Sequence, residues 1–146
     1  MKFLEAIHDV ALVFWIGGLW SIGYLSAPVL FSVLDSRQLA GQVAGRQFEL
    51  IAIVGFVCAT VLLASLWVRC GKVWQLWLVL TMLVLVSVGF FGLQPMMQEL
   101  KAMGITPGSE QATAFGRLHG ISSLLYLLTS VMGLVLVIKP ANPKRV

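Results

Sequence analysis

The chain has 146 residues, of which 59% are hydrophobic and 11% charged, and its formal net charge is +4. A soluble domain carries about 25% charged residues, so water is excluded as the main solvent. The ten Lys and Arg are dispersed at the ends of apolar runs, which excludes a nucleic-acid-binding face.

A helix needs about 20 apolar residues to cross the hydrocarbon layer, so this length holds four crossings in a single domain, residues 1–146. The first apolar run covers about residues 3–31 and is broken by Pro28. It exceeds the roughly 7–15 residues of a secretory-signal core, and Pro28 follows the one small-residue cleavage candidate, Ala27. It therefore reads as a first span. Residues 35–49 are polar with spaced apolar positions, and Ser36 is placed to cap a helical lead at the membrane surface.

The second span is expected over about residues 50–69, stopping at Gly71. The third covers about residues 73–94, with Trp74 and Trp77 near one interface and Gln94-Pro95 marking its end. Residues 96–113 form the longest polar connection, with a short helical piece up to Met103 and a turn over 104–108. The fourth span, about residues 110–138, opens at Ser109 or Glu110 and stops at Lys139-Pro140. The fold class is an all-α integral membrane bundle of four transmembrane helices, in contact with the lipid bilayer.

An even number of spans puts both termini on one side, with Lys2, Arg69, Lys72, Lys139, Lys144 and Arg145; the other side has Arg37, Arg46, Lys101 and Arg117. The positive-inside rule then places both termini in the cytoplasm. The basic tail at Lys144 and Arg145 suits anionic headgroups. Cys58 and Cys70 lie about 18 Å apart along one helix, cannot bridge within a subunit, and read as packing residues.

Ionisable groups near membrane depth are costly, which directs attention to His8, Asp9, Arg117 and His119. His8 shares a helix face with Leu12, Trp15 and Leu19, a groove that could hold a haem iron or a proton; otherwise His8 and Asp9 are solvated at the interface. In the fourth helix, Gly116 and Gly120 form a G-x-x-x-G pair that admits a close neighbour beside Arg117 and His119. Gly41 and Gly45 form a second such pair, and self-association is open to both.

From His119 a row of small and polar residues runs through Ser122, Tyr126, Thr129 and Gly133. It is expected to face the bundle interior, either as interhelical hydrogen bonds or as part of a binding pocket at the outer end of the fourth helix. That pocket would comprise Arg117, His119, Ser122, Ser123, Glu49 and Gln94, with Arg117–Glu49 as the preferred ion pair. His119, Met96 and Met97 offer a soft donor set for Cu(I). His8 and His119 lie near opposite surfaces, on the order of 15 Å apart, so one haem cannot take both.

No phosphate loop, dinucleotide fingerprint, zinc-protease motif, nucleophile elbow or paired carboxylates occur, so no cofactor is assigned and the reading favours a non-enzymatic protein. Trp15-Ile-Gly-Gly18, Pro28-Val-Leu-Phe31, Gln94-Pro95 and Phe115-x-Arg117-Leu-His119-Gly-x-Ser-Ser123 together resemble the bacterial domain of unknown function 4149, related to eukaryotic transmembrane protein 205. The resemblance spans nearly the whole chain. It implies a four-helix protein of the bacterial inner membrane without an established activity, the eukaryotic members being associated with platinum-drug resistance. More distantly, His8 with Trp15-x-Gly-Gly is similar to membrane protoporphyrinogen oxidases and copper-resistance D proteins, which implies haem-binding redox chemistry or copper handling as alternatives. The leading expectation is a small membrane protein that binds or passes a small solute or metal, or supports a membrane protein partner or a second copy of itself.

Overall fold

The computed structural model describes residues 2–141, so the basic tail at Lys144 and Arg145 lies outside the described residues. Four helices are long and apolar enough to cross a membrane: α1 Lys2–Val33, α2 Arg37–Cys70, α3 Trp74–Ala102 and α4 Glu110–Ile138. Every regular element among the described residues is helical. The expected helix starts are made by the expected residues. Ser36 Oγ accepts from the Leu39 N–H at 3.2 Å and Ser109 Oγ accepts from the Ala112 N–H at 3.1 Å, each satisfying an orphan donor of a first turn. Gly71, at φ +75°, ends α2, and its N–H returns to the Leu66 and Trp67 carbonyls. Only glycine adopts that φ without strain.

One boundary differs from expectation. Helix α2 begins at Arg37, the Ser36-capped lead running unbroken into the span, whereas α3 continues past Gln94-Pro95 to Ala102. Proline inside a helix lacks an N–H, and its ring meets the carbonyl four residues back. Both prolines here follow a wider, π-helical turn, Ser21–Ser26 before Pro28 and Val88–Leu93 before Pro95. The Ala27 N–H reaches back five residues to Ile22 and the Gln94 N–H five residues to Gly89. The extra residue per turn relieves the clash of the rings with the Tyr24 and Phe91 carbonyls, so each helix continues past its proline.

Successive helices run antiparallel, and α4 closes the ring against α1. The α1–α2 seam is a ladder: Glu5 with Arg69 (2.8 Å), His8 with Ser65 (2.7 Å), Trp15 against Gly55, Gly18 against Ile51, and Ser26 donating to Gln47 Oε1 (2.8 Å). Phe56 joins Phe90 and Phe91 between α2 and α3, both at 5.6 Å between centroids. Ile16 fits against Gly133 between α1 and α4. Trp15, Leu62, Val79 and Met82 form the centre of the core.

At 1.5 Å per residue, α2 is about 51 Å long and α4 about 43 Å, against a hydrocarbon layer of about 30 Å. Both helices are therefore longer than the apolar layer is thick. Around the middle, large apolar side chains such as Val13, Phe14, Val57, Val84, Leu127 and Val131 are exposed, as expected of a surface solvated by lipid. Trp67, Trp74 and Trp77 are exposed around the α2–α3 turn, where amphipathic rings mark a membrane boundary. The chain is a multi-pass membrane protein.

Candidate functional site

No hydrogen bond or ion pair among the described residues joins the side chains expected to form an outer pocket. Arg117 and His119 are exposed on α4. The His119 ring stacks parallel to Phe115, with centroids 6.0 Å apart, and the Lys101 ammonium sits 5.5 Å above the Phe115 centroid. Ser123 donates to the His119 carbonyl of its own helix at 2.8 Å. Ser122 and Gln94 are half-buried. Glu49 does not take Arg117: its Oε2 accepts from Arg46 at 2.8 Å, one turn back on α2.

A Cβ added at Gly116 or Gly120 would meet nothing within 4 Å. The G-x-x-x-G pair thus faces out of the bundle. Met97 is 7% exposed and Met96 51%, so these neighbours point apart, and the set Met96, Met97 and His119 does not share one face. Among the described residues no group of three His, Cys, Asp or Glu is placed to hold a metal ion.

The polar row on α4 turns inward only in its second half. Thr129, Ser130 and Gly133 are buried, with Thr129 donating to Leu125 O and Ser130 to Tyr126 O on their own helix. The Tyr126 hydroxyl donates to the Leu19 carbonyl of α1, at the edge of the π turn. Gly23 makes room for the ring, since a Cβ there would strike it. Phe48 meets the same ring edge-on at 5.1 Å. Tyr126→Phe is expected to lower stability by about 0.6 kcal/mol, the average for an interhelical hydrogen bond in a membrane protein. Reversible unfolding in mixed micelles reads this, and a loss beyond about 2 kcal/mol would mean that the hydroxyl organises more than one contact.

The end of the bundle that carries the termini holds a different arrangement. His8 Nδ1 lies 2.7 Å from Ser65 Oγ, and Ser65 donates its own proton to the Leu62 carbonyl at 3.0 Å. Gln75, buried at the start of α3, donates through Nε2 to the Lys139 carbonyl at 3.2 Å and so satisfies the end of α4. His8 and Gln75 line one cleft with Leu12, Leu62, Leu66, Val79, Leu136, Pro140 and Ala141. All four helices contribute to it.

One turn nearer that end, Arg69 has an 8% exposed side chain and pairs with Glu5. The cleft has room for about one water molecule. A haem on His8 does not fit it while the helices are packed as they are. Sequence reasoning singled out His8 and missed Ser65 and Gln75. The available signal was one polar residue each inside the apolar runs Val61–Val68 and Val73–Leu80.

A family model, the domain of unknown function DUF4149, matches residues 10–106. The match ends before the Arg117–Ser123 segment. No curated protein and no solved structure matches the chain.

Proposed function

The chain belongs to the family of the domain of unknown function DUF4149, and from that premise we propose that it is a non-enzymatic bundle of the bacterial inner membrane that works by contact. The outer turns of α4 dock a second membrane helix, from a partner protein or from another copy of the chain. No cofactor has a part in this reading, and both termini are cytoplasmic in it. The orientation is supported by the six basic residues on the terminal side against four on the other.

The observation that carries the proposal is the outward G-x-x-x-G surface. Gly116 and Gly120 are exposed with open space above them, and Arg117 and His119 are exposed beside them. Between membrane helices the hydrophobic effect supplies no drive, so close backbone approach over small residues and a few polar contacts determine association. The same residues lining an enclosed cavity would have favoured a solute; they face outward.

The test uses the full chain, fluorescently labelled and reconstituted in bilayers, with association read by energy transfer and by photobleaching steps. Gly116→Ile combined with Gly120→Ile fills the outward surface without touching the bundle. It is expected to leave helical content and thermal stability unchanged while weakening association at least tenfold. Equal association of wild type and variant, with equal recovery of partner proteins after cross-linking in the native membrane, would overturn the reading.

A further inference from the structure

The cleft at the terminal end of the bundle has a hydrogen-bonding polarity fixed by its neighbours. Ser65 gives its only proton to the Leu62 carbonyl, so towards His8 it can act only as an acceptor. With that proton on the Leu62 carbonyl, the 2.7 Å contact has the imidazole donating from Nδ1. In the neutral ring Nε2 is then the unprotonated, accepting nitrogen, the less common of the two tautomers being selected by a fixed partner. Gln75 is oriented by a contact of its own. Its partner is a backbone carbonyl, that of Lys139, so one of its two amide N–H groups is committed there and the amide oxygen is free to accept.

Both side chains line one cleft whose other walls are Leu12, Leu62, Leu66, Val79 and Leu136. Two acceptors in apolar surroundings, in a space of about one water molecule, call for an occupant that donates in two directions. A pure acceptor, such as an anion or a carbonyl group, would bring no proton to His8 Nε2 or to the Gln75 amide oxygen.

We propose that this cleft is a binding site for a single small hydrogen-bond donor, water or an ammonium ion, held between His8 Nε2 and the Gln75 amide oxygen. The two occupants share the chemistry of several N–H or O–H donors on a centre of that size. The site does not depend on the contact surface proposed for α4, which lies at the other end of the bundle.

The experiment is nitrogen NMR of the full chain in lipid bilayers with ring-labelled histidine, the second histidine, His119, being replaced by Gln for assignment. The expected spectrum has His8 protonated on Nδ1 and unprotonated on Nε2, with a cross-peak from the unprotonated nitrogen to a bound donor. Ammonium chloride titrated against equal sodium chloride separates the occupants. A saturable shift of Nε2 specific to ammonium identifies the ion, whereas an unchanged signal with exchange transfer from water identifies water.

Gln75→Leu is expected to abolish the cross-peak. Ser65→Ala is expected to release the ring to the commoner Nε2–H tautomer and abolish it by a second route, which keeps the test decisive if Gln75→Leu does not fold. A wild-type ring protonated on Nε2, or an Nε2 signal the same in wild type and in whichever of the two variants folds, would overturn the proposal.

Discussion

Gly55→Leu is expected to be among the most damaging single substitutions in this chain, lowering stability by about 3 kcal/mol, the upper part of the usual range for overpacking a filled core. Trp15 is the largest fully buried side chain, at 0% exposure, and it fits because α2 presents no side chain opposite it. A Cβ at Gly55 would lie 2.7 Å from Trp15 Nε1 and 3.1 Å from Cε2. The indole cannot turn away, because Nε1 is already enclosed; it is the one buried side-chain nitrogen or oxygen among the described residues without a hydrogen-bond partner.

An unpaired buried N–H is itself unfavourable, so the close packing of the ring must outweigh it. Dispersion between closely packed atoms is the term that survives when lipid replaces water as the alternative environment. The matched control is Gly45→Leu, on the same helix, where an added Cβ meets nothing within 4 Å. Unfolding of both variants in mixed micelles, followed by circular dichroism, should separate them by most of the predicted loss. Equal destabilisation would mean that helix α2 resents a leucine anywhere, and the account of Trp15 would fail.

The contrast between these two glycines also explains what was legible in the sequence. Four spans, the caps at Ser36 and Ser109 and the stop at Gly71 follow from apolar run length and from local backbone chemistry, and the fold has them. Which face of each span turns inward does not follow. In water, one side of a helix is apolar and the other polar. Here lipid and core are both apolar, so Gly45 and Gly55 look alike in the sequence though one is open and the other is filled by Trp15.

The same ambiguity misplaced the row on α4. From His119 to Gly133 is fourteen residues, and at 3.6 residues per turn such a row drifts by about 40° around the helix. Gly133 faces α1 while His119 faces outward. Proline misled for another reason. Gln94-Pro95 reads as a stop unless the preceding turn is π-helical, and hydropathy carries no trace of that turn. His8 was visible as a lone ionisable group in a span, but Ser65, which it contacts, and Gln75, which shares its cleft, come from 57 and 67 residues away, a distance that no local pattern encodes.

Gly133→Ala is expected to destabilise the α1–α4 contact by about 1–2 kcal/mol. The added methyl would sit 2.5 Å from Ile16 Cδ1 and 3.3 Å from its Cγ1. Overpacking of this kind costs about 1–3 kcal/mol, of which replacing glycine by alanine inside a helix returns up to about 1 kcal/mol. Ile16→Val alone removes the Cδ1 methyl and should cost about 1 kcal/mol through the gap it leaves. Together the two substitutions exchange one methyl for another across the same contact. The atom at 2.5 Å is gone, and the remaining approaches of 3.3 and 3.4 Å require only small adjustments. The double variant should therefore recover to near wild-type stability, each change offsetting the other, and a four-member cycle in mixed micelles measures that coupling directly. Additive losses in the double variant would mean that Ile16 and Gly133 do not meet, and α4 would then have to close the bundle through a different face.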